Sequence, residues 1–190
     1  SRLKSGEYYR VGPLARLNIV KEMGTPEADS ALAEYRSTFG EFTQTTLAFN
    51  MARYIEMLSC CEQAVDYLSD SSICGTDIRT PVKDIVNSRG VGIVEAPRGT
   101  LIHDYTVDEN GFMTDCNLIV ATCQNNYGMD RGVEDVAKRV VSGGSLSESA
   151  ANQIEMVIRA YDPCISCATH AIGQMPIDIE LIRENGRMIE

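Results

Sequence analysis

Apolar residues in this chain recur at two periods, and the period changes partway along. Over residues 43–68, Leu47, Met51, Tyr54, Ile55, Leu58, Val65 and Leu68 repeat at helical spacing. That pattern predicts one long amphipathic helix with its stripe turned to the core. Upstream, Thr25-Pro26 offers an N-cap followed by the favoured first-turn proline, so a helix should begin there and end at Gly40. Residues 8–18, interrupted by Gly12-Pro13, read as extended or irregular backbone. Residues 70–90 are loop-rich. Residues 92–97, 100–107 and 112–122 then read as short strands, with Asn110-Gly111 the strongest hairpin signal. Helices return around residues 133–141 and 146–161. The second has a capping box in Ser145 and Glu148, and Pro163 closes it. The tail alternates apolar and acidic residues from Pro176 to Leu181, with Asn185-Gly186 able to turn a terminal ribbon. The expected fold is α+β and mainly helical, with long amphipathic helices and a small antiparallel β-hairpin.

Composition narrows the function. The 190 residues are 44% apolar and contain no long uncharged apolar run, so a globular chain of one domain or two lobes is expected, without membrane insertion. A formal net charge of −10 argues against a nucleic-acid partner or an anionic membrane surface. Seven cysteines, an odd number with Cys60 and Cys61 adjacent, do not make a secreted disulfide framework. A reducing, cytoplasmic setting fits better. There is no signal-peptide pattern, internal repeat or low-complexity segment.

Candidate chemistry is concentrated in Asp162-Pro163-Cys164-Ile165-Ser166-Cys167-Ala168-Thr169-His170, immediately after a predicted helix end. Thiolates and imidazole at this spacing are metal ligands. No second Cys-x-x-Cys exists to complete a four-thiolate site. From the residues alone, a structural zinc site using Cys164, Cys167 and His170 stays open. A thioredoxin-like redox pair fits poorly, because the cysteines follow a helix rather than open one.

The same motif resembles the C-terminal metal motif of nickel–iron hydrogenase large subunits. Glu95-Ala96-Pro97-Arg98-Gly99, followed by Leu101-Ile102-His103, is similar to a second segment of that family, and Val11-Gly12-Pro13-Leu14-Ala15-Arg16 to a third. They occur in the family's order. The wording of residues 101–105 and the turn at 108–111 look like the cytoplasmic, cofactor-coupled type. The resemblance implies the C-terminal portion of a catalytic subunit that reversibly oxidises dihydrogen to protons and electrons. It implies a nickel–iron centre carrying cyanide and carbon monoxide, with Cys164 a terminal nickel ligand and Cys167 bridging nickel to iron. His170 corresponds to a ligand of a separate magnesium or iron ion. Arg98 matches the arginine over the open metal face, Pro97 shapes the same wall, and Asp162 holds the guanidinium. Thr122 is the candidate hydrogen-bond donor to a cyanide, although Ala121 and Gln124 stand where the family often has proline and tryptophan. His103 is expected to be a buried structural histidine.

The implied partners are a small subunit with iron–sulfur clusters, nickel-insertion factors and a maturation endopeptidase. The endopeptidase would divide the chain into residues 1–170, which are retained, and residues 171–190, an extension removed on maturation. The family's N-terminal Arg-x-Cys-Gly-x-Cys pair has no counterpart here. The chain is therefore expected to be an unprocessed C-terminal portion, inactive by itself.

Overall fold

The computed structural model describes residues 3–79, 88–141, 145–164 and 182. The first helix, α1 (Pro13–Leu17), replaces the irregular backbone expected there. Pro13 presets the first helical φ, and Leu14 and Leu17, three apart, are each 1% exposed. A single turn is too short to show a period. Helix α2 (Pro26–Phe39) starts and stops where the sequence places it, with Gly40 at its C-terminus at φ 83°. Its cap differs from expectation, because the Thr25 side chain makes no capping bond. Instead Glu62 reaches over, and its carboxylate accepts from the Glu27 and Ala28 N–H groups at 3.0 Å each. Those amides would otherwise be orphaned, and a carboxylate also suits the positive end of the helix.

Helix α3 (Ala48–Ser69) begins five residues later than its hydrophobic pattern suggests. Residues before it are held by tertiary bonds: Asn18 Nδ2 donates to the Thr43 carbonyl at 2.9 Å, and the Thr43 N–H donates to Asn18 Oδ1 at 3.1 Å. Its core face is also not the predicted stripe. Of that set only Ile55 is buried, whereas Leu47, Met51, Tyr54, Leu58, Val65 and Leu68 are exposed. Ala48, Phe49, Ala52 and Ser59 turn inward instead. Small residues let α3 approach its neighbours closely, and the larger side chains form a second face on the outside.

After a 3₁₀ turn (Ser71–Cys74) come β1 (Ser88–Ala96), β2 (Gly99–Val107) and β3 (Met113–Ile119). They form an antiparallel sheet in the order β1-β2-β3. Ala96 pairs with Gly99, so Pro97 and Arg98 are the two central residues of a tight hairpin. The second hairpin is closed by Asp108, whose carboxylate accepts from the Asn110 and Phe112 N–H groups at 2.9 Å each. Gly111 sits there at φ 83°. Strand β3 ends before residues 120–122, which were expected to extend it. Ala121 and Thr122 instead open helix α4 (Ala121–Val140), which starts twelve residues before the predicted position. Its early turns are rich in Asn and Gly and bury Thr122, Gln124 and Asn125, so no apolar stripe announces them. Helix α5 (Glu148–Ala160) is capped by Ser147, whose side chain accepts from the Ala150 N–H, rather than by the predicted pair of Ser145 and Glu148.

The core joins α1, α2, α3 and α5 through Leu14, Leu17, Leu32, Phe49, Ile55, Val157 and Tyr161. Phe49 and Tyr161 meet with ring centroids 4.7 Å apart. The result is the mainly helical α+β fold expected, with the sheet set to one side. Among the described residues no helix is long and apolar enough to cross a membrane.

Candidate functional site

Three segments distant in sequence meet at the Pro97–Arg98 hairpin. The first is residues 11–16. Gly12, at φ 105°, lies so close to the hairpin that a Cβ there would stand 2.8 Å from the Arg98 carbonyl oxygen. Only glycine permits both that conformation and that approach. Arg16, on α1, reaches the same turn. Its Nη1 donates to the Ala96 carbonyl at 3.0 Å and its Nη2 to the Pro97 carbonyl at 2.9 Å. Glu56 and Glu95 flank that guanidinium in ion pairs of 2.5 Å. Burial by itself would lower the pKa of Arg16, but the hydrogen bonds and negative charges of Glu56 and Glu95 outweigh it, and the net shift is upward.

The second segment is the end of α5. Asp162 has φ 50°, the one described non-glycine residue at positive φ, and this reverses the chain between Tyr161 and Pro163. Aspartate tolerates the left-handed region better than most side chains. The reversal points the Asp162 backbone and side chain at Arg98. Nε of Arg98 donates to the Asp162 carbonyl oxygen at 2.6 Å and stands 3.2 Å from Oδ2. The structure shows one nitrogen shared between a carbonyl and a carboxylate. Both side chains are more than 40% exposed, so solvent screening leaves the ion pair worth only about 0–1 kcal/mol. Orientation is its larger effect.

The third segment is the start of α4. Thr122, 4% exposed, accepts a hydrogen bond at Oγ1 from the Cys164 N–H at 3.2 Å. The Cys164 backbone is thereby tied to the first turn of α4. Thr122 keeps its own hydroxyl proton for another acceptor. Pro97, Arg98, Asp162, Thr122 and Cys164 are therefore gathered in one region, while Cys167, His170 and the whole tail from residue 171, Ile182 aside, lie outside the described residues. Among the described residues no three His, Cys, Asp or Glu side chains cluster to hold a metal. Cys164 is the described ligand candidate; it is disulfide-bonded in this structure, and once reduced its soft sulfur would suit nickel, iron or zinc. His103 is half-buried rather than buried, with Nδ1 2.9 Å from the Tyr105 hydroxyl on the same face of β2.

Sequence reasoning missed the side chains that clamp these segments together. Asn125, 2% exposed, binds both backbone groups of Val11: Oδ1 accepts from its N–H at 2.9 Å, and Nδ2 donates to its carbonyl at 3.2 Å. Gln124, 3% exposed, donates from Nε2 to the Thr100 carbonyl at 2.5 Å and accepts from the Tyr9 hydroxyl at 2.9 Å. The only signal in the sequence is a cluster of amide side chains beside Thr122.

Residues 3–170 match the family described as nickel-dependent hydrogenase. The chain is 46% identical over 184 residues to the NAD-reducing hydrogenase HoxS subunit beta of Cupriavidus necator, covering 95% of this chain and 38% of that protein. It is 47% identical over 187 residues to a hydrogenase polypeptide of Methanothermobacter thermautotrophicus, covering 96% of this chain and 39% of the other. Among solved structures, an NAD+-reducing [NiFe]-hydrogenase in the H2-reduced state superposes with a TM-score of 0.80 at 42% identity, covering 88% of this chain and 37% of that one. The chain thus spans less than two-fifths of the length of these relatives.

Proposed function

The chain belongs to the nickel-dependent hydrogenase family, and from that membership we propose that it is the C-terminal portion of the catalytic subunit of a cytoplasmic nickel–iron hydrogenase, which reversibly oxidises dihydrogen. The observation that carries the reading is the convergence of Arg98, Asp162, Thr122 and Cys164 from three separate segments. A purely structural zinc module needs none of the first three. The bimetallic centre would be held by Cys164 and Cys167 together with a second thiolate pair outside this chain. When bound it would supply the polarising, redox-active site that an apolar, weakly basic molecule such as dihydrogen requires. Cyanide and carbon monoxide on the iron, and a magnesium or iron ion at His170, complete the proposal.

Each protein residue then has a defined task. The first turn of α4 holds Cys164 by its N–H, so the sulfur is presented from fixed backbone rather than from a free loop. The hydroxyl proton of Thr122 is available to an anionic cyanide nitrogen. Arg98, fixed at Nε, is left with its two amino groups for charge that develops beside it. As a permanently charged guanidinium it orients and stabilises charge and does not act as the base. Pro97 limits the turn to one conformation. A small subunit with iron–sulfur clusters would take the electrons. Nickel-insertion factors and an endopeptidase that removes residues 171–190 would complete maturation. The similarity to a subunit of an NAD-reducing hydrogenase supports the cytoplasmic placement.

Two substitutions in the complete, matured subunit test this. Cys164→Ser should abolish nickel retention, measured by metal analysis. Arg98→Lys lacks the Nε that Asp162 holds, so it should keep nickel and assembly while dihydrogen oxidation per bound nickel falls on the order of 10²-fold. Full nickel in Cys164→Ser would remove the metal assignment. Undiminished turnover in Arg98→Lys would leave Arg98 as wall.

A further inference from the structure

Arg16 belongs to none of the metal-ligand or substrate-facing positions above, yet every one of its side-chain donors is committed. A guanidinium carries five N–H groups. Nε donates to Glu56 Oε1 at 2.5 Å and Nη2 to Glu56 Oε2 at 2.6 Å, a two-pronged pair with α3. Nη1 donates to Glu95 Oε1 at 2.5 Å and to the Ala96 carbonyl at 3.0 Å. The second Nη2 proton goes to the Pro97 carbonyl at 2.9 Å. Two consecutive carbonyls leading into Arg98 are thus tied, through one rigid planar group, to two helices of the core.

The tie matters because β1, the strand leading into the turn, is not anchored by burial. Along β1 every residue from Ser88 to Glu95 is exposed, and Glu95 itself is 43% exposed in its side chain. β1 therefore cannot fix its end of the hairpin by burial, whereas Arg16 is only 20% exposed and sits on α1, whose Leu14 and Leu17 are fully buried. We infer that Arg16 is the positioning residue that sets where Arg98 stands, acting through the Ala96 and Pro97 carbonyls. The inference rests on the role proposed for Arg98. Lysine cannot substitute: its three donors radiate from one nitrogen, too compact to span two carboxylates and two successive carbonyls.

A double-mutant cycle in the complete, nickel-loaded enzyme tests it, using R16K, R98K and the pair. R16K should keep nickel and lower kcat for dihydrogen oxidation about 10-fold, with KM little changed, as expected when a group at the reaction centre is displaced rather than removed. Peptide-level amide exchange over residues 95–99 should quicken about 10-fold, while exchange at Val11, held separately by Asn125, keeps its rate. In the R98K background, R16K should add less than about twofold, because both changes then act on one group. E95Q, a milder change on a half-exposed carboxylate, should show the same pattern at smaller size and serves if R16K fails to assemble. Fully additive losses, or unchanged exchange at 95–99, would overturn the positioning role alone. Wild-type turnover in R98K would instead overturn the reading of Arg98, and with it the reason for positioning it.

Discussion

Removing the Asn125 side chain should loosen the first segment from the site, and the size of the effect follows from two hydrogen bonds. Asn125 acts as a one-residue strand partner for Val11, binding its N–H at 2.9 Å and its carbonyl at 3.2 Å in a position where Asn125 is 2% and Val11 8% exposed. In Asn125→Ala both backbone groups lose their partner while remaining buried. Each such group costs about 1–3 kcal/mol, so the pair should cost about 2–6 kcal/mol, toward the lower end if water enters the vacated space. At about 2 kcal/mol the Val11 amide would open and exchange roughly 30-fold faster, since 1.4 kcal/mol corresponds to a factor of ten. Asn125→Asp makes a sharper test. It retains the acceptor for the Val11 N–H but sets a second carboxylate oxygen against the Val11 carbonyl, so at neutral pH it should be at least as harmful as alanine despite its near-identical shape. The assay is amide exchange at Val11 together with thermal unfolding of the complete subunit. Exchange within about threefold of wild type in both variants, with no change in melting, would refute the claim that this amide clamps the segment.

Gly12→Ala should be poorly tolerated for two independent reasons, a left-handed φ of 105° and a Cβ 2.8 Å from the Arg98 carbonyl oxygen. We expect about 1–3 kcal/mol of strain and a fall in dihydrogen oxidation with nickel retained; wild-type activity per nickel would show that the hairpin moves freely. Glu62→Gln should lower the melting temperature at neutral pH and matter progressively less in acid. Burial pushes the Glu62 carboxyl upward, but its hydrogen bonds together, those from the Glu27 and Ala28 N–H groups among them, outweigh it and hold the pKa below its ordinary 4.5. A depressed folded pKa contributes stability above the unfolded value, and that contribution is lost as pH falls through the folded one. The gap between the two proteins should therefore narrow as pH falls below the ordinary carboxyl value of 4.5, and a gap independent of pH would point to packing rather than charge.

The sequence by itself determined the parts of this protein whose causes are local. Pro26 and Gly40 delimit α2 because a fixed φ and a left-handed φ are properties of single residues. Asn110-Gly111 marks its hairpin for the same reason. The cysteine motif and the two segments before it could be read as candidate chemistry, since ligand type and spacing are covalent facts. The family follows from them and is borne out by the match over residues 3–170. Tertiary structure decided what depends on partners far along the chain. Which face of α3 enters the core was misread, because two apolar faces share one helix and only packing against α1 and α2 selects Ala48, Phe49 and Ala52 over Met51 and Leu58. The start of α4 was misplaced because its first turns are stabilised by Asn125 and Gln124 bonding to Val11, Thr100 and Tyr9, and polar burial leaves no hydrophobic period to detect. The cap of α2 lies on Glu62, 35 residues from the Glu27 amide it satisfies. Arg16 and Glu56 meet across 40 residues for the same reason. A side chain that closes a contact over such distances carries no mark in its own neighbourhood, since the chain pays for bringing it there elsewhere, in the burial of Leu14, Leu17 and Phe49.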